Sequence, residues 1–275
     1  MREMTTREVQ LVCLDILKDI HEFCVKNHIN YSLSGGSLLG AIRHNGFIPW
    51  DDDADIQMPR PDYDRFIRSY RSSRGYVLIS PEIEGGEISN SRISRVFEMK
   101  KTWVDQGPER IVESMIGVWI DIFPVEGAPS DIKMGRKFVN SFAWNERIIG
   151  FLSFKHAPVM SITRFHDIHG YVKFLLYKFV GQFVTIKERD KAINRLKKYS
   201  FEESKYFCTS AHYGLNEWQP KKYMETYILH QFEDTQLFIM SGWKENLASL
   251  YGAEYMQIPS KRKRESHDVY RRYWR

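Results

Sequence analysis

An α/β or α+β fold is what this sequence predicts, and three observations carry the prediction. Thr5 to His28 has helical spacing. A strand, a glycine turn, a short helix and a second strand then follow one another from Tyr31 to Met58. Four more strand-like segments lie between Tyr76 and Val125, before a long helical stretch begins. Helices and strands mixed in this order bury their apolar faces best as helices packed on a sheet.

The first helix opens with Thr5-x-x-Glu8, a capping-box pattern. Val9, Val12, Cys13, Ile16, Ile20, Phe23 and Cys24 then fall on one helical face. Tyr31 to Ser34 reads as a short strand leading into Gly35-Gly36. Ser37 to His44 reads as a short helix, with Gly46 as a stop signal. Asp53 to Met58 alternates acidic or polar with apolar residues, a strand pattern. Pro61 suits the first position of a helix that runs to about Tyr70. Strands are expected at Tyr76–Ser80, Ile93–Met99, Thr102–Asp105 and Ile116–Val125. Residues 131 to about 200 are helical in pattern. Tyr206–Ser210 and two strands around Glu233-Asp234 within Tyr227–Met240 follow, and Trp243–Tyr251 is a last helix before Gly252. Within the helical stretch, Tyr171 to Ile186 is apolar apart from Lys173 and Lys178. It is read as a buried helix, in preference to one lying on a membrane surface.

The chain has 275 residues, 43% of them hydrophobic, enough for a substantial core in one large domain or a domain with an insertion. Cys13, Cys24 and Cys208 have neither paired nor metal-ligand spacing, which favours free thiols in a reducing compartment. The polar N-terminus lacks the apolar core of a signal peptide, and no apolar run is long enough to span a bilayer. A cytoplasmic protein is expected. Seven Lys and Arg within residues 261–275, against Glu265 and Asp268, account for the whole net charge of +5. A local excess of this kind excludes a nucleic-acid-binding surface spread over the fold. It reads equally as a solvated terminus or as a patch that meets a phosphate or an anionic membrane.

The chemistry concentrates in residues 34–56, where Gly35-Gly36-Ser37 precedes Asp51, Asp52, Asp53 and Asp55. A small-residue turn lets backbone N–H groups approach a phosphate. Clustered carboxylates suit a hard cation such as Mg²⁺, with Mn²⁺ as a substitute. Residues two apart in a strand share a face, roughly 6.6 Å apart. Asp53 and Asp55 are therefore expected to project together, with Asp51 assisting if the strand extends back to it and Asp52 pointing away. Asp121, the one acid in the apolar run Ile116 to Pro124, is costly to bury unless paired or metal-bound. On a neighbouring strand it would complete a three-acid site for two-metal chemistry. An exposed acidic turn is the bland alternative. A calcium loop is a weak one, because its positions 6 and 12 are here Ile56 and Asp62 instead of Gly and Glu.

The phrase from Ser34 to Ile56 closely resembles the LicD family of phosphotransferases, to which the fukutin-related enzymes are allied. Strand, Gly-Gly-Ser, short helix and Asp-x-Asp together resemble the nucleotidyltransferase fold of the DNA polymerase β superfamily. Ile120-Asp121-Ile122-Phe123-Pro124 is similar to the family's second motif. Leu250-Tyr251-Gly252 through Pro259, with a basic stretch and His267, is similar to its usual ending. The resemblance implies a nucleotidyltransferase-type mixed sheet flanked by helices and a mostly helical second region. It divides the chain into a catalytic core at 1–128, a helical region at 129–204, and strands, helix and basic tail at 205–275 that complete the same domain. It also implies transfer of phosphocholine, or a related phospho-alcohol, from a CDP-linked donor to a hydroxyl of a cell-surface glycan such as lipopolysaccharide or teichoic acid. By motif, Asp53, Asp55 and Asp121 would hold Mg²⁺, and Asp121 would accept the proton of the attacking hydroxyl. Gly35, Gly36 and Ser37 would contact the donor phosphates, and Arg43 would neutralise their charge. The partners implied are a CDP-alcohol and a free or lipid-linked glycan, met at the inner face of the membrane by peripheral association, and no nucleic acid. Lys261, Arg262, Lys263 and Arg264 would meet the diphosphate or that membrane. Choline recognition would call for an aromatic face; Trp50, Trp103, Trp119, Trp144 and Trp218 are available, and none is singled out. His44, His212 and His267 read as solvated or structural. The rival readings are an Asp-x-Asp glycosyltransferase using a nucleotide sugar, against which the glycine turn argues, and a non-catalytic glycan- or partner-binding protein on the same fold.

Overall fold

The computed structural model describes residues 1–83, 93–105, 116–155, 168–209, 213–261, 264 and 271–275. His212, Arg262, Lys263 and His267 lie outside the described residues.

Helix α1 (Thr6–Lys26) is capped as its sequence requires. The Thr5 hydroxyl accepts from the Glu8 N–H at 3.3 Å, and the Glu8 carboxylate accepts from the Thr5 N–H at 2.9 Å. Its apolar face is buried against β7 (Val118–Ala128) and β5 (Ser94–Glu98) of the central sheet and against β11 (Thr235–Met240) of a separate hairpin. That sheet runs β2 (Ser32–Leu33), β3 (Asp55–Pro59), β7, β5, β4 (Val77–Ile79). Among the described residues of this sheet, only the central β3–β7 pair is parallel; its neighbours are antiparallel. The mixed α/β class expected from the sequence is the one observed.

Strand β7 is longer than expected. Its second half leaves β5, which pairs only as far as Ile122, and takes up β8 (Tyr206–Cys208), itself joined to β9 (Gln219–Pro220). Pro124 is tolerated because its missing N–H falls beyond the β5 ladder. Helix α2 (Gly35–His44) begins at the first glycine, two residues before its expected start. Helix α3 (Arg60–Ser69) carries Pro61 second, with Pro59 as the cap.

Helices α4 (Ile132–Lys155), α5 (Ile168–Gly181) and α6 (Ile186–Leu196) fill the expected helical stretch. Helices α4 and α6 enclose a separate small core of Phe138, Val139, Phe142 and Leu196, which also takes in Ala128 and Cys208 from β7 and β8. The expectation of a buried helix at Tyr171–Ile186 is corrected. Among its described residues Phe174 and Gly181 are buried, while Val172, Leu175, Leu176 and Phe179 are exposed. The helix is apolar on two sides, and α4 covers only one.

A second correction concerns the termini. The solvated-tail reading fails for Arg271–Trp274, which form strand β12 between β1 (Arg2–Glu3) and β6 (Thr102–Asp105). Arg271 is exposed and Arg272 buried, and Tyr273 and Trp274 are aromatic residues that suit a half-buried strand; the charge run concealed that preference. The hairpin of β10 (Tyr227–Phe232) and β11, and α7 (Trp243–Tyr251) ending at Gly252, follow the sequence pattern closely. Among the described residues, no helix is long and apolar enough to cross a membrane.

Candidate active site

Two sheet features and one helix terminus meet at the N-terminal end of β3. Register in the parallel pair sets Asp55 opposite Asp121, and the Asp121 N–H donates to the Ala54 carbonyl at 3.1 Å. Helix α2 begins on the same spot. Its Ser34 N–H donates to the Asp55 carbonyl at 3.0 Å, and the Ser37 hydroxyl accepts from the Asp55 N–H at 2.9 Å. The N–H groups of a first helical turn have no partner within the helix, and those of Gly35, Gly36 and Ser37 therefore open beside the carboxylates. Gly35 has φ +51°, a left-handed turn that directs the strand into the helix; a Cβ there would stand 3.5 Å from Asp55 Oδ2. At Gly36 a Cβ would stand 2.7 Å from Asp51 Oδ2, so the missing side chain is what admits that carboxylate.

The strand begins at Asp55, not at Asp53 as the alternation suggests. Strand parity therefore does not explain how the acids converge. They are gathered by a short irregular approach. Gln10, buried on α1, donates to the carbonyls of Ile48 (3.1 Å) and Asp51 (2.7 Å). Glu233, at the tip of the β10–β11 hairpin, accepts from the Phe47 N–H at 3.1 Å and is held by Arg7. Asp52 turns away, as expected, into a buried ion pair with Arg272 of β12; its Oδ1 has no hydrogen-bond partner.

The remaining acids crowd one another. Asp51 and Asp53 share a side-chain hydrogen bond. Desolvation by the surrounding protein, then the charge of Asp53, pushes the Asp51 carboxyl up to about 9. Desolvation raises Asp55 well above the carboxylate range, aided by the charges of Asp53, Asp121 and Asp51 and opposed by Arg95. Arg95, facing Asp121 across the β5–β7 ladder, donates from Nε to Asp121 Oδ1 at 2.6 Å, with its guanidinium 5.1 Å from the Trp119 ring centre.

Site residues the sequence did not single out are Arg95, Gln10, Arg272 and a tyrosine pair. The Tyr213 hydroxyl donates to the Tyr251 hydroxyl at 3.2 Å. Desolvation raises both phenols, and the charges of Asp55 and Asp51 add to it. An arginine inside the strand-like, mostly apolar run Ile93–Phe97 is the signal that would have found Arg95, since a half-buried cation calls for a carboxylate. Arg43, expected on phosphate, spends Nη1 on the carbonyls of Tyr255 (2.9 Å) and Gln257 (3.2 Å), anchoring the segment after α7. Arg264 lies 4.3 Å over the ring of Trp50, the residue that precedes Asp51 in the sequence.

Crowded carboxylate oxygens are the donor set a hard cation takes. Among the described residues, no three His, Cys, Asp or Glu side chains gather closely enough to cage an ion alone. Mg²⁺ needs no such cage: one or two carboxylates, with phosphate oxygens and water, complete its octahedron. The residues present fit that mode.

Comparison with known proteins agrees with this geometry. Residues 28–135, which hold α2, the acids and Asp121, match the family model "LicD/FKTN/FKRP, nucleotidyltransferase domain". The chain is 29% identical to the lipopolysaccharide cholinephosphotransferase LicD of Haemophilus influenzae, over 99% of each chain. An uncharacterised protein of Rickettsia prowazekii is 51% identical over 47 residues, 17% of this chain and 18% of that one. Mannosyltransferase regulator 4 of Saccharomyces cerevisiae is 26% identical over 140 residues, half of this chain and 11% of its own length.

Proposed function

We infer that the chain is a LicD-family transferase of phosphorus-containing groups, from the family model matched at residues 28–135 and the 29% identity over nearly the whole chain to a lipopolysaccharide cholinephosphotransferase. From that premise we propose that it moves phosphocholine, or a related phospho-alcohol, from a CDP-linked donor to a hydroxyl of a cell-surface glycan, lipopolysaccharide in the first instance and teichoic acid as the alternative. The observation that carries the reading is the Asp55–Asp121 pair, set side by side in parallel strands against the first turn of α2.

In this reading one or two carboxylates of the set Asp53, Asp55 and Asp121, with Asp51 assisting, would hold Mg²⁺ together with donor phosphate oxygens and water. The ion supplies charge neutralisation at the transferring phosphate. The N–H groups of Gly35, Gly36 and Ser37 orient the donor's phosphate oxygens. Asp121 takes the proton of the attacking hydroxyl. Arg95 opposes that step while it donates to Asp121, because a guanidinium favours the carboxylate anion. Proton acceptance therefore goes with transfer of Arg95's hydrogen bond to a donor phosphate oxygen. Tyr213 and Tyr251 stay neutral and line the site as hydroxyl donors.

Two measurements test the reading. Incubation with CDP-choline and with UDP-sugars, each with Mg²⁺ and glycan acceptor, should consume CDP-choline alone; consumption of a UDP-sugar would favour a glycosyltransferase. Asp55→Asn and Asp53→Asn should each lower transfer by at least about a thousandfold, roughly 4 kcal/mol of barrier, with an unchanged melting profile. Full activity in either variant would remove the metal assignment.

A further inference from the structure

Helix α5 has two apolar faces, and the described residues cover only one. Phe174 is buried, and the Tyr177 ring stands edge-on to Phe151 of α4, centroids 4.8 Å apart. On the other side lie Ile168, Val172, Leu175, Leu176, Phe179 and, just past the helix end, Phe183. The spacing of four, three, one, three and four residues is one helical stripe. Val172 is 55% exposed, Leu176 54%, Phe179 65% and Phe183 73%. Side chains of this size and exposure in one contiguous stripe mark an interaction surface.

Charge selects the occupant. From Ile168 to Lys187 the chain has no Asp or Glu, and it has Lys173, Lys178 and Lys187. A second copy docked on this face about a two-fold axis would set like charges against one another. An anionic headgroup layer complements the same rim. The helix is fourteen residues long, about 21 Å at 1.5 Å per residue, against the roughly 30 Å of hydrocarbon that a spanning helix must cross. It fits the plane of an interface, apolar stripe down and lysines at headgroup level. We propose that the outer face of α5 is a peripheral membrane-binding surface that seats the protein on an anionic bilayer. The inference does not depend on which group the enzyme transfers.

Co-sedimentation with vesicles tests it. The protein should pellet with vesicles of phosphatidylcholine mixed with phosphatidylglycerol, and far less with phosphatidylcholine alone. The double variant Leu176→Ser, Phe179→Ser should lower the bound fraction by at least about tenfold, as loss of that much apolar contact requires, with an unchanged thermal melt. If that variant fails to fold, Lys173→Glu with Lys187→Glu, both at exposed positions, decides: binding to the anionic vesicles should fall, and added salt should mimic the effect on the wild type. The proposal is overturned if the wild type stays in the supernatant with anionic vesicles, or if the folded variants pellet as it does. It is equally overturned if the wild type is a dimer in solution that the serine pair dissociates, since a second copy would then cover the face.

Discussion

Gly35 and Gly36 are adjacent and serve different ends, which makes them separable by mutation. Gly35 is held at φ +51°, where an L side chain costs about 1–2 kcal/mol. Gly35→Ala should lower stability by that amount in denaturant titration. Gly36 has ordinary backbone geometry, and its missing Cβ admits the Asp51 carboxylate. Gly36→Ala should displace a flexible side chain at little cost in stability and slow transfer by about tenfold or more, ~1.4 kcal/mol. Equal activity in Gly36→Ala and wild type would show that the position of Asp51 does not matter. At this scale the sequence was most legible where chemistry is unusual. Four acids near a glycine pair, and one acid in an apolar run, stand out because such residues are costly there. Arg43 was legible as a cation between two motifs; that its Nη1 also bonds the backbone carbonyls of Tyr255 and Gln257 was not, because backbone acceptors leave no mark in a sequence.

At the scale of elements, the acidic approach is held from outside by three others: α1 through Gln10, the hairpin tip through Glu233 and β12 through Arg272. The Asp52–Arg272 pair is the most exacting of these, because both groups are buried. Removing one partner of a buried pair leaves an uncompensated charge, at roughly 3–5 kcal/mol. Arg272→Met should therefore lower stability by about that much in chemical denaturation, and Asp52→Asn combined with Arg272→Met should recover part of the loss. A double variant no better than the single would show that the pair contributes little. Local pattern found α1, the β10–β11 hairpin and α7, whose caps and turns are written in adjacent residues. It misplaced the start of β3, because alternation continues through Asp53 while pairing begins only at Asp55. It missed β12 because a strand that pairs with β1 and β6 is specified by residues far away, and a basic run looks like a tail.

The whole molecule joins α1 to the hairpin through His21, whose Nδ1 lies 2.8 Å from the Tyr31 hydroxyl and whose ring packs on Phe238. Burial lowers the pKa of His21 below its ordinary value, about 6.5 in an unfolded chain. The unfolded chain then binds the proton first. The stabilisation is complete above about 6.5 and is lost as pH falls through that value and on through the folded-state one. Denaturant titrations at neutral and mildly acidic pH should show stability falling with acidity, and less steeply in His21→Gln. Identical slopes would exclude His21 as the cause. The mixed α/β class was legible because its period changes are strong; the outward face of α5 was not, because apolar residues on two sides of a helix read as burial on both. The position of β12 has a last consequence, in time instead of space. Arg272 follows Asp52 by 220 residues. At synthesis rates of roughly 5–20 residues per second, the ribosome takes roughly ten to forty seconds to cover that distance. For that interval Asp52 lacks the arginine that pairs with it in the folded protein. The approach to the site is thus completed only late in translation, and a nascent chain stalled before Arg272 would expose an unfinished catalytic loop to the cell's quality control.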